Sequence, residues 1–301
     1  MNSFPVAVKA GYGLKTVRSY VALMKPRIIE LLLTTTVPAM VVAQRGLPSL
    51  SRVAITLVGG TLSAGGANAV NMWFDRDIDA VMKRTKNRPL VTGEISPQAG
   101  LAFAIAIEAL SFLILWRYIN LLSGILALGA AAFYIFVYTM WLKRSSSQNI
   151  VIGGAAGAAP VLVGWAAVQN DVSLAGIMMF LVIFLWTPPH FWALAFRYKD
   201  DYSAAGVPML PSVATFERTA RQIIIYTMAL VVASLALGPL AHLGLIYEIS
   251  ALVLGAGFLY YAIKLRSSHS PKVAMRVFSY SITYLTLLFL AMAADTIVHH
   301  F

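Results

Sequence analysis

Nine stretches of about 18 or more predominantly apolar residues constrain this chain more than any other feature: roughly 28–44, 53–74, 96–116, 119–142, 149–168, 173–196, 222–243, 245–263 and 277–298. About 20 such residues carry an α-helix across the hydrocarbon core of a bilayer. Inside lipid the backbone must satisfy its own polar groups, so runs of this length specify helices. The expected fold is an all-α integral membrane protein of nine transmembrane helices.

Only 12% of the residues are charged, against about 25% in soluble domains, so most of the chain does not meet water. The absence of cysteine excludes disulfides, thiolate metal sites and cysteine nucleophiles. A net charge of +11 in a soluble protein suggests nucleic acid. Here it follows from topology. Of the 23 Lys and Arg, 20 fall in the N-terminal tail and in the loops after the second, fourth, sixth and eighth runs, and only Arg45, Arg52 and Arg117 fall on the other side. The positive-inside rule then sets the N-terminus in the cytoplasm, and an odd number of helices sets the C-terminus outside. Membrane lipids are expected partners and nucleic acid is not. The organisation read from this pattern is a cytoplasmic tail over 1–27 and a single transmembrane domain over 28–301. The first apolar run lies too far along, and lacks the flanks, for a cleaved signal peptide, and no transit peptide is evident. A bacterial plasma (inner) membrane is the expected location, with multi-pass insertion and the charged loops on the cytoplasmic side.

Residues 71–90, NMWFDRDIDAVMKRTKNRPL, interrupt the apolar pattern with three aspartates and five Lys/Arg. Upstream, Ser63, Ala64, Gly65, Gly66, Ala67 and Ala69 suit close helix packing. Asn71, Asp75, Asp79 and Lys83 recur every four residues and stack on one face if the helix continues. Stacked carboxylates repel unless a cation lies between them, and oxygen donors in this pattern suit Mg²⁺. Lys83, Arg84 and Arg88 follow, the residue types that grip phosphate oxygens. A second charged segment, RYKDDYSAAGVPMLP, begins at Arg197 and lies on the same expected side. Asp200 or Asp201 would add acidic oxygens, and Arg197, Lys199 and, after the fourth run, Lys143 would add phosphate donors. The arrangement suits a Mg²⁺–diphosphate at one membrane face. A transporter, the competing reading from residues alone, favours paired polar groups near the midplane.

The strings LMKPRIIELLLTTTVPAM, NMWFDRDIDAVMKRTKNRPL, YTMWLKRSSSQNIVIGGAAGAAPVLVGW and WTPPHFWALAFRYKDDYSAAGVPMLP, spanning 23–211, resemble the UbiA superfamily of intramembrane prenyltransferases, and within it the heme-modifying branch. Many members carry a second DxxxD. Here Ala204 and Ala205 stand four residues beyond Asp200 and Asp201, and the Asp201–Tyr202 pair takes that place, as in the heme branch rather than the quinone or chlorophyll branches. The resemblance implies a UbiA-type bundle and transfer of farnesyl from farnesyl diphosphate to the 2-vinyl group of heme b, with addition of water, giving heme O. It implies Asn71, Asp75, Asp79 and Asp201 as catalytic and Mg²⁺-binding residues. Lys83, Arg84, Arg88, Lys143, Arg197 and Lys199 would bind diphosphate, and Lys25 and Arg27 are alternative anion contacts, toward heme propionates. A heme A synthase or a terminal oxidase is the candidate recipient of the product.

His190 lies in PPHFW, where Pro188 and Pro189 are expected to break the sixth helix at membrane depth and line a cavity. With Trp186 and Tyr202 it forms the expected heme pocket, and a hydrogen-bonded interior histidine is the plain alternative. Glu108 is an intramembrane acid expected to be protonated and hydrogen-bonded. Asp295, near the outer end of the last helix, is expected to be solvated.

Overall fold

The structure, a computed structural model, describes residues 10–300, with side chains described over 16–26 and 34–299. Arg27 is therefore outside the described side chains. The secondary structure of the described residues is wholly helical: α1 (Ala10–Leu23), α2 (Pro26–Gln44), α3 (Leu50–Phe74), α4 (Arg76–Val81), α5 (Pro97–Tyr118), α6 (Leu121–Ala132), a π-helical segment (Phe133–Leu142), α7 (Lys143–Ser145), α8 (Asn149–Gln169), α9 (Leu174–Ala195), α10 (Lys199–Ala204), α11 (Leu210–Val213), α12 (Phe216–Ala241), α13 (Leu245–Ser268) and α14 (Pro271–His300).

Each apolar run corresponds to a helix. Eight are long and apolar enough to cross a membrane among the described residues: α3, α5, the continuous 121–145 stretch, α8, α9, α12, α13 and α14. The first run corresponds to α2, part of whose side chains lie outside the description. The outward faces of these helices are apolar, with Ile105, Val232, Leu252 and Val253 exposed. A contiguous surface of this kind belongs in lipid, and the chain is a multi-pass membrane protein.

Local chemistry sets the helix ends. Ser96, Asn120, Ser173 and Thr215 accept a backbone N–H at the starts of α5, α6, α9 and α12, which satisfies donors that a helix leaves unpaired. Small residues set the spacing between helices. A Cβ on Gly164 of α8 would lie 2.9 Å from the Thr36 carbonyl oxygen of α2, and one on Gly66 of α3 would lie 3.1 Å from the Ala104 carbonyl oxygen of α5. Their absence lets the backbones approach closely. Ser111 then reaches across from α5 to donate to the Gly59 carbonyl at 2.7 Å.

Two local expectations are overturned. Pro188 and Pro189 lie inside α9, which runs unbroken from Leu174 to Ala195. Their missing N–H groups remove two bonds of the ladder, but packing against α8, α12 and α14 holds the helix. Asp295 is buried, not solvated, and accepts the backbone N–H groups of Gly244 (2.5 Å), Ile246 (3.1 Å) and Tyr247 (3.3 Å) at the start of α13. The unpaired donors and positive dipole of a helix N-terminus favour a carboxylate there.

Candidate active site

Asn71, Asp75 and Asp79 are at most 3% exposed. α3 ends at Phe74 and α4 starts at Arg76. Across the junction the Asp75 N–H still bonds the Asn71 carbonyl (3.0 Å) and the Asp79 N–H the Asp75 carbonyl (2.8 Å). The four-residue register therefore survives from Asn71 to Asp79. It does not extend to Lys83, because α4 stops at Val81, and Lys83 is exposed.

Side-chain cations surround the buried acids. Lys143 pairs with Asp75 Oδ2, and Arg144 Nη2 lies 3.3 Å from Asp75 Oδ1. Arg88 Nη1 is 2.5 Å from Asp79 Oδ2. Lys25 Nζ donates to Asn71 Oδ1 at 2.7 Å, and Asn71 Nδ2 donates to Asp75 Oδ2 at 2.8 Å and to Thr139 Oγ1 at 3.1 Å. Lys25 takes the left-handed conformation (φ 54°) just ahead of α2, a costly backbone for a residue with a Cβ, and from there its ammonium reaches Asn71. Burial, then the neighbouring Arg88 and Lys143 charges, push Lys25 well below the usual lysine range, against the pull of Asp79 and Asp75. On the outer side, hydrogen bonding to Arg144 holds the Asp77 carboxyl down at about 2, with contacts of 2.6 and 2.7 Å.

The π-helical segment before α7 contributes Thr139, and Tyr134 and Tyr138 of the same segment form part of the cavity wall. Such segments change the phase of a helix and recur at functional sites. Arg84 ties the two charged segments together: its Nη2 donates to the Tyr202 hydroxyl at 2.8 Å, and its guanidinium lies over the rings of Tyr198 and Tyr202 at 5.0 and 4.8 Å. Arg197, Lys199 and Asp200 are exposed and Asp201 is half-buried.

Part of this cluster opens onto a cavity of about 660 Å³, within the range of about 300–1,000 Å³ usual for small-molecule sites. Lys25, Asn71, Arg84, Arg88, Lys143 and Tyr202 form its polar wall. One apolar wall is built of small residues of α3, α6 and α8, among them Ala67, Ala131 and Gly157. The other is aromatic, with Trp186 and His190 of α9 and Phe278 of α14. Asp75 and Asp79 lie behind this wall, bonded to its Lys143 and Arg88, and Lys83, Arg197, Lys199 and Asp201 also lie outside it. Among the described residues no three Asp, Glu or His side chains converge as a ready-made metal cage. The oxygens of Asn71, Asp75 and Asp79 nevertheless suit a hard cation that takes one or two carboxylates and completes its shell with water and phosphate.

A buried acid–base cluster at the mouth of an apolar intramembrane cavity is the architecture of an isoprenoid-transferring membrane enzyme. The chain belongs to the UbiA prenyltransferase family, whose profile matches residues 32–292, and it is a prenyltransferase. Among its relatives, the protoheme IX farnesyltransferase of Frankia alni is 54% identical over 286 residues, covering 94% of this chain and 99% of the relative. That of Streptomyces avermitilis is 52% identical over 285 residues, covering 93% of each. A digeranylgeranylglyceryl phosphate synthase structure superposes with a TM-score of 0.78 at 18% identity, covering 94% of this chain and 99% of that one. A UbiA homolog from Archaeoglobus fulgidus bound to GPP and Mg²⁺ gives 0.64 at 19% identity, with 92% and 99% covered. These two likenesses concern the fold.

Proposed function

We propose that this enzyme transfers the farnesyl group of farnesyl diphosphate to the 2-vinyl group of heme b, with addition of water, giving heme O and diphosphate. The observation that carries the reading is a cavity that joins Asn71 and Lys143, both hydrogen-bonded to the buried Asp75 behind them, to an apolar interior with a small-residue wall and an aromatic wall. The relatives named protoheme IX farnesyltransferase supply the acceptor.

In this reading the diphosphate rests on Lys25, Arg84, Arg88 and Lys143, with Lys83, Arg197 and Lys199 contributing from outside the cavity wall. Asn71, Asp75, Asp79 and Asp201 would hold Mg²⁺, which when bound supplies charge neutralisation to the leaving oxygens. Lys143 and Arg88, now paired with Asp75 and Asp79, have acceptors to exchange for phosphate oxygens when substrate arrives. The C1–O bond then breaks with its electron pair leaving on diphosphate, where the cationic side chains stabilise developing charge. The vinyl π-pair bonds the allylic carbon. The resulting cation beside the porphyrin takes the oxygen of water, which loses its proton. The apolar walls keep water from the first cation and accommodate the fifteen-carbon tail and the macrocycle. Trp186, His190 and Tyr202 are assigned to the heme side. The whole is one transmembrane domain over 28–301 behind a tail over 1–27, crossing a bacterial inner membrane nine times with the site at the cytoplasmic face and the C-terminus outside. A heme A synthase or a terminal oxidase would receive the product.

The test is an acceptor competition. Purified protein in lipid vesicles, given labelled farnesyl diphosphate and Mg²⁺, is offered heme b or 4-hydroxybenzoate. Label is expected in a heme product, to be lost on chelation with EDTA and restored by Mg²⁺. Label only in the benzoate would replace this reading with that of a quinone-type enzyme.

A further inference from the structure

His190 is buried and held by ring contacts and one hydrogen bond. Its ring stacks on Trp186, one turn earlier on α9, with centroids 4.2 Å apart and planes at 22°. Phe278 of α14 covers it at 4.6 Å and 33°, and Phe191 meets it edge-on at 5.1 Å and 87°. Its Nδ1 lies 2.7 Å from Ser281 Oγ. Ser281 has one hydroxyl proton and lies 2.6 Å from the Phe278 carbonyl oxygen, which can only accept. The serine proton is therefore spent on that carbonyl, and His190 must carry its proton on Nδ1 and donate it to Ser281. The Ser281 carbonyl in turn accepts the Trp186 indole N–H at 2.7 Å, fixing the stacking partner to the same residue. Nε2 is left as the lone-pair nitrogen. Among the described residues it has no hydrogen-bond partner, and His190 forms part of the cavity wall.

We infer that Nε2 of His190 ligates the iron of the porphyrin acceptor and so sets which edge of the macrocycle faces the prenyl donor; the inference rests on the reading of the acceptor as heme given above. Metal-bound imidazoles donate their other ring N–H to an acceptor that fixes tautomer and ring orientation, and the Ser281–Phe278 relay supplies one. A role as proton acceptor fits less well. No carboxylate lines the cavity among the described residues, so a proton on Nε2 would leave an unpaired cation among aromatic rings. Bonding to iron keeps the ring neutral. The ligand function needs Ser281, which local sequence pattern does not connect to His190, 91 residues away.

The experiment uses the full chain in detergent, reduced, with heme b and no prenyl donor. Resonance Raman spectra are expected to contain an iron–imidazole stretch. The band should disappear in His190→Gly and return when free imidazole is added, which also reports that the variant is folded. Ser281→Ala should retain the band at a lowered frequency, with heme affinity weakened roughly tenfold, because the N–H loses its acceptor. Asp75→Ala should retain the unaltered band while losing turnover, which separates heme binding from prenyl transfer. A band absent from the unsubstituted protein, or persisting in His190→Gly without imidazole, overturns the ligation. If the band is present but farnesyl never reaches heme, the proposed reaction fails and the ligation stands.

Discussion

Asp75 and Asp295 are the same residue type at helix boundaries, 0% and 1% exposed, and they are satisfied in opposite ways. Asp295 is held by three backbone N–H groups at the start of α13. Those donors are part of the main chain and have nowhere else to go. Asp75 is held by the side chains of Asn71, Lys143 and Arg144. Each of those groups ends a rotatable stem, and two of them are cations that can exchange one anion for another. Burial alone therefore does not distinguish a structural carboxylate from a working one. The mobility of the partners does, together with what lies beyond them: a helix end for Asp295, a cavity for Asp75.

The sharpest way to break this contrast is to remove each carboxylate in turn. Asp75→Ala should insert and fold but lose turnover of heme b by at least about a thousandfold, since it removes a charge around which the leaving-group site is organised. Asp295→Ala should do the reverse. It leaves three N–H groups at the start of α13, that of Tyr247 buried, without their acceptor, at a cost of roughly 2 kcal/mol, while kcat stays within a few-fold of normal. Rates and thermal midpoints measured on both variants in one detergent check the pair. Equal rate losses would mean that both residues are structural.

A second, smaller effect tests the exchange of partners. Lys143→Met keeps the stem and removes the charge. It should lower kcat/KM by about a hundredfold, the order expected for one electrostatic contact to a developing anion. Because Asp75 also loses its ion-pair partner, Arg144 is left as its remaining cation. The KM for the diphosphate should rise and the apparent affinity for Mg²⁺ should rise with it, since the freed carboxylate oxygen is no longer neutralised by an ammonium. A variant that binds Mg²⁺ less tightly would contradict the idea that Lys143 and metal compete for Asp75.

What was legible in the sequence divides along the same line. The apolar runs mark the long helices to within several residues, because crossing a bilayer is a demand on composition that local sequence must meet. The Asn71–Asp75–Asp79 stack was also legible, because backbone bonds of one helical register carry it through the junction. Lys83 drops out where α4 ends. Lys143 and Lys25 were legible as candidate anion contacts, but their pairing with Asp75 and Asn71 was not, and Thr139 was not legible at all. Lys25 lies 46 residues from Asn71, and Thr139 and Lys143 lie 68 from Asn71 and Asp75. Thr139 is further disguised by the π-helical phase shift. Asp295 was expected in solvent because its three donors sit about 50 residues upstream. The two prolines of α9 read as a break, since the packing that holds the helix together is not visible in its own residues.

The smallest predicted effect concerns Arg84, which couples the segment after α4 to the segment after α9. Its guanidinium both donates to Tyr202 and lies over two tyrosine rings. A lysine retains the charge but not the planar fork or the stacking surface. If Arg84 serves only as one more positive charge near the diphosphate, Arg84→Lys should be nearly silent. If the tyrosine cradle aims it, the same variant should raise the KM for farnesyl diphosphate about tenfold with little change in kcat, the pattern of lost uniform binding. Tyr202→Phe removes only the hydroxyl acceptor and should fall between the wild type and Arg84→Lys. The order of the three KM values decides whether the second charged segment acts on the diphosphate directly or by orienting the first. The exposure of Arg197 and Lys199 and the burial of Tyr202 favour orientation.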